Sequence, residues 1–150
     1  MERIVFMIVP TKVLAEQQAE AGRKYGPRAT AINEDSVREA ATREERDLFA
    51  ELAGGDGISV GIRSPQMLQG PRMGKLLNEP KPKCLVRWML VDEAHVLDKE
   101  SGTFRKPYRG ILHMQPRLPS GTVWAAVTGT ATISAPLASP QGSAFVLGNT

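Results

Sequence analysis

Apolar positions in this chain come in short runs, separated by longer polar stretches with helical spacing. Ile4 to Val9 is apolar and rich in β-branched residues, which predicts a buried strand. Pro10 and Thr11 end it. Thr11 is placed to cap the helix that follows, whose inner face is read from Leu14, Gln18 and Ala21. Gly22 or Gly26 stops that helix. Ala29 to Ile32 predicts a second strand. Beyond the polar turn Asn33 to Ser36, the spacing of Val37, Ala41, Leu48 and Leu52 predicts one charged amphipathic helix over 34–52. The run Arg43 to Asp47 then falls on its solvated face, and Gly54, Gly55 and Gly57 end it. Ile58 to Ile62 predicts a third strand. Ser64 and Pro65 open a helix as N-cap and first helical residue. Gly70 and Pro71 divide it, and a second short helix runs to Leu77. Glu79 to Lys83, with two prolines, reads as a loop.

The densest run is Leu85 to Val91, interrupted only by Arg87. A short apolar run of bulky residues predicts a strand buried on both faces, as in a parallel sheet. It stops abruptly at Asp92 and Glu93. Lys106 to Met114 predicts a helix, Gln115 to Gly121 a loop, and Thr122 to Val127 a fifth strand running into TGTAT. Strands alternating with helices predict a parallel α/β sheet joined by right-handed crossovers. The organised part spans 1–132. Residues 133–150 are rich in Ala, Ser, Pro and Gly, show no period, and read as an irregular tail. There is no internal repeat.

Composition narrows the class without naming a function. The chain has 150 residues, enough for one domain with a real core. It is 41% hydrophobic and 23% charged, with net charge +3, a balance that permits nucleic-acid binding without demanding it. One cysteine, Cys84, excludes an intrachain disulfide, and His95 and His113 do not supply an obvious metal site with it. No apolar run approaches the length of a membrane span, and MERIVFMIVP reads as a first strand, not a signal peptide.

The candidate chemistry lies at the end of the densest run. Ligands of open α/β sheets sit beyond the carboxyl ends of the strands. Asp92 and Glu93 stand there. Adjacent carboxylates can divide the work of nucleotide hydrolysis: Asp92 holding Mg²⁺ beside the phosphates, Glu93 orienting the attacking water. His95 can donate or accept a hydrogen bond and relay the nucleotide state. A plainer reading is that both acids only form the solvated turn after a buried strand.

Further stretches weigh against that plain reading. VDEAH resembles the Walker B box, motif II, of superfamily 2 helicases. The continuation HVLDKESGTFRKPYRGIL is similar to the RecQ family, in which the acid box leads into an aromatic-rich loop, with Phe104, Arg105 and Tyr108 at the matching offsets. VPTKVLAEQQ resembles motif Ia at Pro10, Leu14 and Gln18, although Val9 stands where the family often has Ser or Thr. RSPQML resembles motif Ib at Ser64, Pro65 and Leu68, with Gln66 in place of the usual acid. TGTAT resembles motif III at Thr128, Thr130 and Ala131, with Gly129 in place of alanine. Each box is weak alone, for each also suits a plain strand–helix turn or strand end. Four in helicase order are specific, and together they span Ile4 to about Thr132.

The resemblance implies a RecA-like three-layer domain of the P-loop NTPase type, with a mainly parallel sheet. It implies ATP and Mg²⁺ as cofactors and 3′-to-5′ unwinding of single-stranded or forked DNA. Asp92 would serve the metal through the nucleotide, Glu93 the water, and His95, Thr128 and Thr130 the coupling. Pro10, Thr11, Lys12, Gln18, Ser64, Phe104, Arg105 and Tyr108 would line the DNA track. A second RecA-like domain would be the partner, no membrane would be involved, and eukaryotic family members imply the nucleus, with the cytoplasm otherwise.

Three departures bear on that expectation. Glu100 stands where RecQ members usually carry Trp, which removes a base-stacking platform and adds negative charge. Gly102 and Thr103 replace His and Asp. No G-x-x-x-x-G-K-[ST] loop occurs in the sequence. The expectation is therefore most of one RecA-like domain, cut at both ends, with little or no ATP hydrolysis by itself. A non-catalytic nucleic-acid-binding module derived from a helicase is the alternative; an unrelated doubly wound nucleotide or metabolite enzyme is a more distant one.

Overall fold

The computed structural model describes residues 3–55, 57–92, 110–111 and 113–126. Its elements run β1 (Ile4–Ile8), α1 (Lys12–Lys24), β2 (Ala29–Ala31), α2 (Glu34–Arg43), α3 (Leu48–Gly54), β3 (Val60–Arg63), α4 (Pro65–Leu68), α5 (Pro71–Asn78), α6 (Pro80–Leu85), β4 (Val86–Val91), a 3-10 turn at Gln115–Arg117 and β5 (Val123–Ala126). The five strands form one sheet in the order β2-β3-β1-β4-β5, and every pairing is parallel. The α/β expectation holds, with the sheet parallel throughout.

Period-two alternation sorts side chains onto the two faces of this sheet. Ile4, Phe6 and Ile8 of β1, Met89 and Val91 of β4 and Trp124 of β5 join the larger core. There they meet Leu48, Phe49, Leu52, Met73 and Leu77 from α3 and α5. The opposite face is covered by α1, where Ala15 and Ala19 pack with Ala31, Ile62 and Val9. Small residues on α1 let it lie close to the sheet: a Cβ at Gly22 would come 2.9 Å from that of Ala29. The inner face of α1 is thus Ala15 and Ala19, with Gln18 half-buried and Ala21 exposed, which rotates it from the expected Leu14–Gln18–Ala21 stripe.

Three further expectations are corrected. The helix expected over 34–52 is two helices. Glu45 takes φ 52°, the left-handed conformation that ends helices, and the Arg46 amide closes the turn on Ala40 O at 2.9 Å. Asp47 then starts α3, its Oδ1 accepting from the amides of Phe49 at 2.9 Å and Ala50 at 3.3 Å. The run Arg43 to Asp47 is therefore a joint between helices. Arg72 pairs with both Asp47 oxygens, at 2.8 and 2.9 Å, and its guanidinium lies 4.3 Å from the centre of the Phe49 ring. Burial opposes ionisation of Asp47, but the two amides and Arg72 outweigh it and hold the carboxyl below its usual range.

The loop expected over 79–83 is α6, which also takes in Cys84. Pro80 and Pro82 both fall in its first turn, where a missing N–H costs no helical bond. The strand expected to be buried on both faces is exposed at Arg87 and Trp88, the latter to 38%. A register shift causes this: Ile4 pairs with Val86 but Val5 with Trp88, so Arg87 is an extra residue on β4. Arg87 turns away and donates from Nη1 to Gly121 O at 2.9 Å.

β3 runs one residue further than expected and draws Arg63 into the core. Arg63 pairs with Ile8 in register and is 0% exposed. Its guanidinium sits 4.5 Å from the Phe6 ring centre, and among the described residues none of its three nitrogens has a hydrogen-bond partner. Gly61 makes the room, since a Cβ there would lie 3.2 Å from Phe6 and 3.3 Å from Arg63 Nη2. Burial without a counter-charge pushes the guanidinium down to about 9.

Candidate nucleotide and nucleic-acid edge

Because all five strands are parallel, their carboxyl ends share one edge of the sheet. Three sequence boxes meet there on adjacent strands, for β1 lies between β3 and β4. The β1–β3 ladder continues one step past the strand, Val9 N–H donating to Arg63 O at 3.0 Å. Pro10 and Thr11 then turn the chain into α1, and Thr11 Oγ1 accepts from the Leu14 amide at 3.2 Å. On β3, Ser64 opens α4 in the same way, its Oγ accepting from Met67 N–H at 3.4 Å. Each cap uses a lone pair of the hydroxyl and leaves its O–H able to donate to another acceptor. On β4, the Asp92 amide donates to Ile8 O at 2.9 Å, which fixes the first acid of VDEAH beside the end of β1.

The start of α2 closes the edge on its other side. Asn33 is 5% exposed and forms a reciprocal cap with Ser36, each side chain serving the other's backbone amide at 2.9 Å. Its Nδ2 also donates to Glu16 Oε1 at 3.0 Å, tying α2 to α1. Lys12 adds a second tie, with Nζ 2.8 Å from Asp35 Oδ2. Lys12 belongs to the motif Ia resemblance, whereas Asp35 lies in the polar turn Asn33 to Ser36. The partnership joins positions 23 apart and carries no local signal.

This pair gives a direct prediction. A phosphate reaching Lys12 must displace Asp35, so Asp35→Asn should tighten single-stranded DNA binding about two- to fivefold at low salt. The hydrogen bond with Lys12, then its charge, hold the Asp35 carboxyl below its ordinary value, and Asp35 raises Lys12 in return. The carboxyl's lowered value means the pair is present above the ordinary carboxylate range and is lost as pH falls through that lowered value. Its Lys12 side survives until pH rises through the raised lysine value. The advantage of Asp35→Asn should therefore be constant across neutral pH and vanish in acid, which fluorescence anisotropy with labelled DNA would show.

Other expected site residues are placed less centrally or lie outside the described residues. Gln18 is half-buried two turns into α1, away from the edge. Glu93, His95, Phe104, Arg105, Tyr108, Thr128 and Thr130 fall outside the described residues. Among the described residues no group of three His, Cys, Asp or Glu side chains could enclose a metal. Asp92, at a strand's carboxyl end, is an oxygen donor of the type that holds Mg²⁺ together with waters and substrate phosphates. No helix among the described residues is long and apolar enough to cross a membrane.

A five-stranded parallel sheet with helices on both faces, and with capped helix starts and an acid on one edge, is consistent with a RecA-like domain that takes its ligand at that edge. Residues 2–139 match the family described as DEAD/DEAH box helicase, and the chain belongs to that family. Helicases of this kind couple ATP, with a divalent metal, to work on nucleic acid. No curated protein matches the chain.

Proposed function

We propose that the chain is the first RecA-like domain of a RecQ-like 3′-to-5′ DNA helicase, contributing the acid box and part of the DNA track. The observation that carries this reading is positional. Pro10–Lys12, Ser64 and Asp92, the described parts of motifs Ia, Ib and II, stand at the carboxyl ends of three neighbouring strands in helicase order. The RecQ assignment rests further on Phe104, Arg105 and Tyr108 after the acid box.

In this reading DNA runs along the carboxyl edge with its phosphates toward α1 and Ser64. The start of α1 offers backbone amides without helical acceptors, and Lys12 offers a charge. Asp92, whose amide is fixed beside the end of β1, would hold the Mg²⁺ of a bound nucleotide, an ion that neutralises phosphate charge. Glu93 accepts a proton from the attacking water. His95, with Thr128 and Thr130, links the acid box to the DNA track. Phosphoryl transfer needs a phosphate cradle as well, and no G-x-x-x-x-G-K-[ST] loop occurs in these residues.

A second reading, a non-catalytic nucleic-acid-binding module, is favoured by Glu100, which adds negative charge where the RecQ family has a base-stacking Trp. The two are separated by phosphate release. Residues 1–150 alone should show negligible ATP hydrolysis with or without DNA. Joined to a segment carrying a phosphate loop and to a second RecA-like domain, they should show DNA-stimulated hydrolysis. A joined protein that binds DNA but never hydrolyses ATP would establish the second reading instead.

A further inference from the structure

An apolar cleft of about 350 Å³ opens between α2, α3 and the turn from α4 into α5, its rim at Glu34 and Arg38 adjoining the Lys12–Asp35 pair. Its volume is at the small end of the range for small-molecule sites, roughly 300–1,000 Å³. Val37, Phe49, Met67 and Met73 supply the apolar walls. Met73 and Phe49 belong to the core and hold their positions, whereas Val37 and Met67 are only half-buried and present free surface. Methionine is unbranched and polarisable, so the half-buried Met67 can adapt to more than one ligand shape.

The rim carries the charge. Arg72 is committed, paired with Asp47 and stacked on Phe49. Arg38 is not: it lines the cleft from the outer side of α2, is exposed, and makes no ion pair among the described residues. Glu34 lies one helical turn before it on the same rim. It disfavours a ligand with more than one negative charge.

We propose that this cleft binds a small apolar monoanion. Its hydrocarbon or aromatic body sits among Val37, Phe49, Met67 and Met73, and its carboxylate or similar head pairs with Arg38. Burial of the body supplies affinity, and the charge-assisted hydrogen bond to Arg38 supplies selectivity for an anion over a neutral molecule of the same shape.

The test uses residues 1–150 labelled at the methionine methyl groups and titrated with octanoate, followed by NMR. Saturable shifts of the Met67 and Met73 methyls are expected, with the other four methionines unmoved, six being present in all. Neutral 1-octanol should bind about tenfold more weakly, and Arg38→Gln should weaken octanoate by about the same factor while leaving octanol unchanged. Ala41→Trp, placed on the exposed part of α2 that lines the cleft, should fill it and abolish the shifts. Equal binding of octanol and octanoate, shifts spread over all six methionines, or no saturable shift would overturn the proposal. Arg38→Gln, an exposed change that leaves the core intact, keeps the test decisive if Ala41→Trp fails to fold.

Discussion

Arg63→Met should raise the thermal unfolding midpoint of residues 1–150 by about 5 °C or more, a gain of about 2 kcal/mol. Arg63 is fully buried, and its three guanidinium nitrogens have no hydrogen-bond partner among the described residues. Burying an unpaired charge costs several kcal/mol even after relaxation. The contact with the Phe6 ring, at 4.5 Å, returns part of this, a desolvated cation–π pair giving about 2 kcal/mol. Methionine keeps the length of the side chain, packs against Phe6 and needs no acceptor. With the guanidinium lowered to about 9, it remains charged at neutral pH, so the whole penalty is present there. Calorimetry of the two proteins at pH 7 checks the claim. A midpoint that falls on substitution would show that Arg63 has a buried partner and helps hold the fold.

The second large effect concerns hydrolysis. In a protein that joins this domain to a phosphate-loop segment and a second RecA-like domain, Glu93→Gln should lower kcat by about 100-fold or more while leaving ATP affinity nearly unchanged. General-base assistance is worth roughly 10²–10⁴-fold in rate. Glutamine keeps the shape of the side chain but cannot accept the proton from water. Asp92, which would serve the metal, is untouched, so nucleotide binding persists. Equal turnover with Gln at position 93 would remove Glu93 from its assigned role.

Much of this architecture is legible in the residues because local and global signals agree. The run Ile4 to Val9, the caps Thr11 and Ser64, and the proline after Ser64 all favour the element the fold uses. Where the signal fails, a long-range effect has decided. The joint at Glu45 depends on Asp47 capping α3 and on Arg72 securing Asp47 from 25 residues away. The exposure of Trp88 follows from an extra residue at Arg87, and a slip of one residue in a strand exchanges its faces. The expected third strand ends at Ile62, short of Arg63, and charged residues are seldom buried unpaired, so its burial carries no sequence signal. The candidate edge was legible in its position, since a strand ending in two acids predicts where a ligand sits. The restraint of Lys12 by Asp35 was not, because it joins the starts of two helices through space.

Single-stranded DNA binding, titrated by fluorescence anisotropy at low and moderate salt, tests the central claim most directly. If the carboxyl edge tracks phosphates, affinity should fall steeply with salt, the logarithmic slope being about −0.7 for each phosphate neutralised. Lys12→Ala should make that slope shallower by about 0.7 and weaken binding of all sequences alike. Binding that ignores salt, no binding at low salt, or a slope unchanged by Lys12→Ala would contradict the assignment of this edge to nucleic acid.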